Sequence, residues 1–195
     1  MAMSYLANVV SVLTVSFTLA VAPAVHAEAG PAASQSQNAT VPPPSSNQTP
    51  MVLTPAQVEG LMPATVYYRG QSAPIQRRNS AGAKFAPDGY LLVAMVDTSG
   101  YASSVQEIYQ MYLITESPVM IGGQPLSPGA YGAGVVNGKF IVTDVGGHTL
   151  LQANTSLDQS MPRPRPLQLL SDPAGGLKLY LGRNWISISA ATATR

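Results

Sequence analysis

The sequence predicts an all-β domain, a small antiparallel barrel or sandwich of about eight to ten strands with a short N-terminal helix. Three observations carry that expectation. Apolar and β-branched runs of roughly four to eight residues are separated by clusters of Gly, Pro, Asn and Asp. Two of these clusters, Asn137-Gly138 and Gly146-Gly147, are two-residue hairpin signals. No long helical period runs through the apolar residues, and no internal repeat stands out.

The first segment reads as an address. Leu6 to Ala22 is uncharged and mostly apolar, and Val25-His26-Ala27 fits the small-x-small cleavage pattern of a secretory signal. Residues 1–27 are therefore expected to be a signal peptide cleaved near Ala27, with the mature chain periplasmic or secreted. Met1 to Tyr5 departs from the pattern by lacking Lys and Arg. A membrane anchor is the competing reading, but a run of about 17 residues barely spans a bilayer. No basic cluster follows to stop transfer, so no stable span is expected after cleavage.

Residues 28–50 hold five prolines, one charge and almost nothing to bury. Such a segment cannot offset its ordering entropy and should form a disordered linker, extended locally at Pro42-Pro43-Pro44. The single domain is expected over residues 51–190, with a C-terminal tail at 191–195. It opens on a helix start: Thr54 as N-cap, Pro55 at N1 and Gln57 closing a capping box, ended by Gly60 and Pro63.

Strands follow near Ala64–Arg69, Tyr90–Asp97, Ile108–Thr115, Val119–Ile121, Ala130–Val136, Lys139–Val145, His148–Asn154, Leu167–Leu170, Leu177–Leu181 and Trp185–Ser189. Gln76 to Ala86 reads as a polar basic loop, and Met161 to Pro166 has too few N–H groups for a central strand. The two hairpin signals define a meander with testable register. Across Asn137-Gly138, Val135 should face Phe140, Ala133 should face Val142, and Tyr131 should face Asp144. Across Gly146-Gly147, Asp144 should face Thr149, Val142 should face Leu151, and Phe140 should face Ala153. Alternation then assigns Tyr131, Ala133, Val135, Phe140, Val142, Leu151 and Ala153 to the core face. On the other face Gly132 and Gly134 allow close approach of another backbone.

Composition narrows the function classes. The chain has 195 residues, 46% hydrophobic and 10% charged, with a formal net charge of +1 and no cysteine. A one-unit excess leaves no electrostatic footprint for nucleic acid. The missing cysteine removes disulfides, thiolate zinc sites and thiol nucleophiles, so neither metal nor cofactor is expected. With no disulfides, stability must come from the core, which favours a bacterial envelope or extracellular setting.

Few residues point to chemistry. His148 and Asp144 could form a metal or catalytic pair, but a two-residue turn would put them on opposite faces. Val96-Asp97-Thr98-Ser99-Gly100 resembles the Asp-Thr/Ser-Gly signature of aspartic proteases, and Leu179-Tyr180-Leu181-Gly182-Arg183-Asn184 resembles a second segment of retroviral-type members. Ser99 interrupts the signature, and a turn capped by Asp97 is the plainer reading. Glu107 and Glu116 would lie at opposite ends of one strand, too far apart to act as a glycosidase pair. Arg77, Arg78, Arg163 and Arg165 could bind anions or simply confer solubility. Tyr67, Tyr109, Tyr112 and Trp185 are candidates to stack on a sugar or peptide, because neighbouring tyrosines of opposite parity cannot all face the core.

Val119-Met120-Ile121-Gly122-Gly123-Gln124-Pro125-Leu126-Ser127-Pro128-Gly129-Ala130-Tyr131-Gly132 resembles a motif of small exported bacterial β-domain proteins of uncharacterised function. Tyr112-Leu113-Ile114-Thr115-Glu116 before it, and Arg165-Pro166-Leu167-Gln168 and Leu179-Tyr180-Leu181-Gly182-Arg183 after it, are similar to the same group. The likeness covers residues 90–190 and implies a compact exported β-domain, with no catalytic residue, cofactor or substrate attached. The expected role is a non-enzymatic module, binding or structural, with a protein or glycan partner at the envelope. The alternative is a hydrolase of the aspartic type using Asp97.

Overall fold

The computed structural model describes residues 49–85 and 89–191. The signal peptide, the linker up to residue 48 and residues 192–195 lie outside the described residues. In chain order the elements are β1 (Met51–Val52), α1 (Pro55–Leu61), β2 (Thr65–Tyr68), β3 (Gln71–Phe85), β4 (Gly89–Val96), α2 (Ser103–Ile108), β5 (Met111–Thr115) and β6 (Val119–Ile121). Then come β7 (Gln124–Leu126), β8 (Gly129–Val136), β9 (Lys139–Thr143), β10 (Thr149–Asn154), β11 (Ser156–Leu157), β12 (Leu167–Ser171), β13 (Leu177–Leu181) and β14 (Asn184–Ala190).

The strands form two antiparallel sheets. The larger runs β1-β3-β4-β5-β8-β9-β10, with β2 paired to β3; the smaller runs β12-β13-β14-β6-β7, with β11 paired to β14. No ladder joins one sheet to the other, so the architecture is a sandwich rather than a closed barrel. Aliphatic side chains fill the space between the sheets. Leu91, Val93, Met111, Leu113, Val142 and Ile121 are fully buried there, facing Leu177, Leu179 and Ile188 of the smaller sheet. Among the described residues no helix is long and apolar enough to cross a membrane.

The helix start forms as the sequence predicts. Thr54 N–H donates to Gln57 Oε1 at 2.9 Å and Gln57 N–H donates to Thr54 Oγ1 at 3.4 Å, a reciprocal capping box with Pro55 behind it. Val58 is the helix's buried anchor.

The meander registers hold where strands pair. Val135 faces Phe140 and Ala133 faces Val142; Val142 faces Leu151 and Phe140 faces Ala153. Asn137 and Gly138 take φ of 51° and 74°, as a type I′ turn requires. The second turn differs from expectation. Asp144 N–H donates to His148 O at 3.0 Å and Gly147 N–H donates to Asp144 O at 3.0 Å. The loop therefore has three residues, Val145 to Gly147, with Gly147 at φ 90° supplying the left-handed step that closes such hairpins. Thr149 then pairs with Thr143 rather than Asp144, and the ladder slips between Thr149 and Leu151. Leu150 is the extra residue. This bulge cancels the offset of the turn and restores the core register beyond it.

Two other expectations need correction. Gln76 to Ala86 is not a loop throughout: Ile75 pairs with Val96 and Ser80 with Ala94, so Gln76 to Asn79 bulge and the ladder resumes to Phe85. Ala83 and Phe85 alternate into the core with Ala81 packed beside them, and this small-residue alternation outweighs the polar composition. The strand expected from Ile108 starts only at Met111, because Ser103 to Ile108 form α2. Glu107 thus sits on a helix.

The outer face of the larger sheet carries a second core under α1, α2 and the β2–β3 hairpin. Here the glycine expectation is met: a Cβ on Gly134 would lie 2.6 Å from the Ile108 carbonyl oxygen, and one on Gly132 would meet the rings of Tyr68 and Tyr109 at 2.6 and 2.9 Å. The two rings stack with centroids 3.9 Å apart, and Tyr101 meets both edge-on. Thr143 Oγ1 donates to Gly132 O at 3.3 Å, which leaves Tyr68 OH to donate to Thr143 Oγ1 at 2.9 Å.

Candidate functional site

The residues singled out in the sequence do not converge. Asp97 ends β4 in an exposed turn, and its Oδ1 accepts the Ser99 N–H at 3.1 Å. That hydrogen bond holds the carboxyl below its usual value. The geometry is an Asx turn, in which the acid caps its own backbone.

Tyr109 and Tyr112 lie in the second core, at 0% and 8% exposure, so their rings are used inside the protein. Burial, then the neighbouring tyrosines, pushes the Tyr109 phenol far up. Its hydroxyl has no hydrogen-bond partner. Tyr67 is 55% exposed and lies far along the β2–β3 hairpin. Trp185 is half-buried on β14, with Lys178 Nζ 4.5 Å from its ring centroid and Tyr180 tilted beside it.

Asp144 and His148 do not project apart. The three-residue turn brings them together, with His148 Nδ1 2.9 Å from Asp144 Oδ2 and the His148 N–H donating to Asp144 Oδ1 at 2.9 Å. These bonds hold the Asp144 carboxyl below its usual value. The imidazole is exposed, and no nucleophilic side chain bonds its other nitrogen. Among the described residues no group of three or more His, Asp or Glu could hold a metal ion. The pair ties the turn. Glu116 likewise ties backbone, accepting the Tyr90 N–H at 3.1 Å.

The arginines converge instead. A groove of about 700 Å³ runs along one edge of the sandwich, between the β12 edge of the smaller sheet and the wall made by β1, α1 and the β3 bulge. Arg77 and Arg78 enter it from the bulge and Arg165 from the segment before β12. Glu59, on α1, is the acid in its lining, 3.5 Å from Arg77. Arg78 and Arg165 are exposed and form no ion pair. Apolar surface lies beside the charge: Val52 and Leu170 are 36% and 43% exposed, and both line the groove.

The groove is positioned by ordinary sheet construction. β3 bulges because Gln76 to Asn79 offer no apolar alternation to hold a ladder. β12 can begin only after Pro166, since the Pro-Arg-Pro-Arg-Pro run lacks N–H groups. Two basic segments distant in sequence thereby face each other. The sequence contained the arginines but no signal for their convergence, which arises from how the two sheet edges meet. No protein-family model, curated protein or solved structure matches the chain.

Proposed function

We propose that the mature chain is an exported, non-enzymatic β-domain that binds an anionic partner at the cell envelope through this groove. One observation carries the reading: Arg77, Arg78 and Arg165 share a groove of about 700 Å³ with Glu59 as its acid. Guanidinium groups are the side chains best suited to carboxylate, sulfate and phosphate, because their planar fork matches two oxygens at once. The volume lies within the range of ligand sites, and apolar walls beside a few charged groups are typical of them. Export rests on the uncharged run before Ala27 and the small residues that follow it.

Binding of the mature protein to an array of neutral glycans, sulfated glycans and acidic peptides tests the reading. Binding is expected to concentrate on the anionic probes and to fall about tenfold or more in the Arg78→Ala/Arg165→Ala variant. Trp185→Ala and Tyr67→Ala should bind as the parent does. Preference for neutral glycans lost in Trp185→Ala would overturn the groove in favour of the aromatic surface. Expression of residues 1–195 in a bacterium, followed by fractionation and mass measurement, tests export. A product beginning at Glu28 outside the cytoplasm is expected, and an uncleaved cytoplasmic chain contradicts it.

A further inference from the structure

We propose that the groove takes an extended acidic peptide, which adds to the outer edge of β12 as a further strand of the smaller sheet. This rests on the anionic-partner reading above and names the ligand class.

Register decides which backbone groups are available. Gly182 N–H donates to Pro166 O at 3.2 Å and Asp172 N–H donates to Gly176 O at 3.0 Å, the two ends of the β12–β13 ladder. Between them the pairs Gln168–Tyr180 and Leu170–Lys178 fall in the same hydrogen-bonding class. The N–H and C=O groups of Leu167, Leu169 and Ser171 therefore point away from β13. Among the described residues none of them meets a partner. Leu167 and Leu169 are each only 4% exposed, so these amides sit at the floor of the groove without the hydration an open edge would have. Consecutive residues from Arg165 to Leu170 line the groove. A strand alternates its side chains, so an unbroken run in contact means that the groove follows the strand's edge and not one of its faces.

The opposite wall has the same character. Leu53 N–H donates to Gly82 O at 2.9 Å, which places Ser80, two residues earlier and beyond the end of β1, in the class whose backbone faces the groove.

Free donors and acceptors recurring every second residue, about 6.8 Å apart, match another strand and not a glycan. Side-chain chemistry then selects the peptide. Acidic residues complement Arg77, Arg78 and Arg165, and alternating apolar residues complement Val52 and Leu170. The chain's own linker does not fit, since residues 28–50 carry Glu28 as their one charge.

Fluorescence anisotropy of the mature protein with labelled Glu-Val-Glu-Val-Glu-Val tests the proposal, beside two analogues N-methylated at every Glu or at every Val, and heparin as a non-peptide polyanion. The unmodified peptide should bind. One N-methylated analogue should lose about tenfold or more, because only one set of amides faces β12, while the other should bind as the parent does. Ser171→Pro removes an outward N–H while leaving the β13 ladder intact, and should weaken the peptide but not heparin. Equal binding of both analogues and the parent peptide, or heparin binding without peptide binding, would overturn strand addition and leave the arginine groove standing. Failure of every anionic probe would overturn both.

Discussion

At the β10 edge of the sandwich, Gln124 Nε2 donates across the sheets to Gln152 O at 2.5 Å, whereas at the β12 edge Leu167, Leu169 and Ser171 present backbone groups that nothing meets. Both strands are edges, and each turns alternate N–H and C=O groups outward. At β10 the outward carbonyl is capped by a side chain, and the β6–β7 turn presses in: a Cβ on Gly122 would lie 2.6 Å from Ala153 Cβ. At β12 there is a groove, flanked by guanidinium groups. An unpaired edge is a hazard that proteins usually cover. One covered edge and one open edge in the same molecule is the pattern of a fold that keeps a single edge for a partner.

Substitutions break this contrast one seam at a time. The largest effect is expected at the closed seam. Gly122→Val combines a φ of 56° with contacts below 3 Å to Ala153 and Ile186. It should cost about 2–4 kcal/mol, read as a lower midpoint in urea denaturation. Gln124→Ala leaves the Gln152 carbonyl uncapped and should cost about 1 kcal/mol in the same measurement.

The open seam behaves in the opposite way. Arg78→Ala and Arg165→Ala remove exposed, unpaired side chains, so stability should stay within about 0.5 kcal/mol while anion binding falls. If these variants unfold easily, the arginines hold the seam and do not serve a ligand. The smallest effect is a pH response at the second hairpin turn. The Asp144 carboxyl is held below its ordinary value of 3.8 by hydrogen bonds from His148. Its contribution is therefore complete above that value and fades as pH falls through the lowered one. Asp144→Asn should abolish this acid-side response in a thermal melt series without changing binding at the groove. A separate assay addresses the hydrolase alternative. Cleavage of an unfolded protein substrate is expected to be the same for parent and Asp97→Asn, and a loss of cleavage in the variant would revive it.

Local chemistry made much of the fold legible. Thr54-Pro55-Ala56-Gln57 specifies its own capping box, and Asn137-Gly138 specifies a type I′ turn and hence a register. Gly146-Gly147 was ambiguous, since the same pair serves a two-residue turn or the left-handed step of a three-residue one. The core register survived only because Leu150 bulges. The pairing of Asp144 with His148 was missed for that one-residue difference. β3 was obscured by its basic bulge, although Ala81, Ala83 and Phe85 already alternate in the sequence. The groove was not legible. Its arginines lie in segments far apart in the chain, and only the meeting of two sheet edges brings them together.

Amide hydrogen exchange resolved at single residues tests the central claim most directly, comparing the two edges with and without Glu-Val-Glu-Val-Glu-Val. Without peptide, the Leu167, Leu169 and Ser171 amides should exchange faster than those of Gln168 and Leu170, which bond to β13. On adding peptide they should slow by about tenfold or more, while Gln152 and Asn154 on β10 stay unchanged. Protection of the three β12 amides before any peptide is added, or equal slowing at both edges, would contradict it.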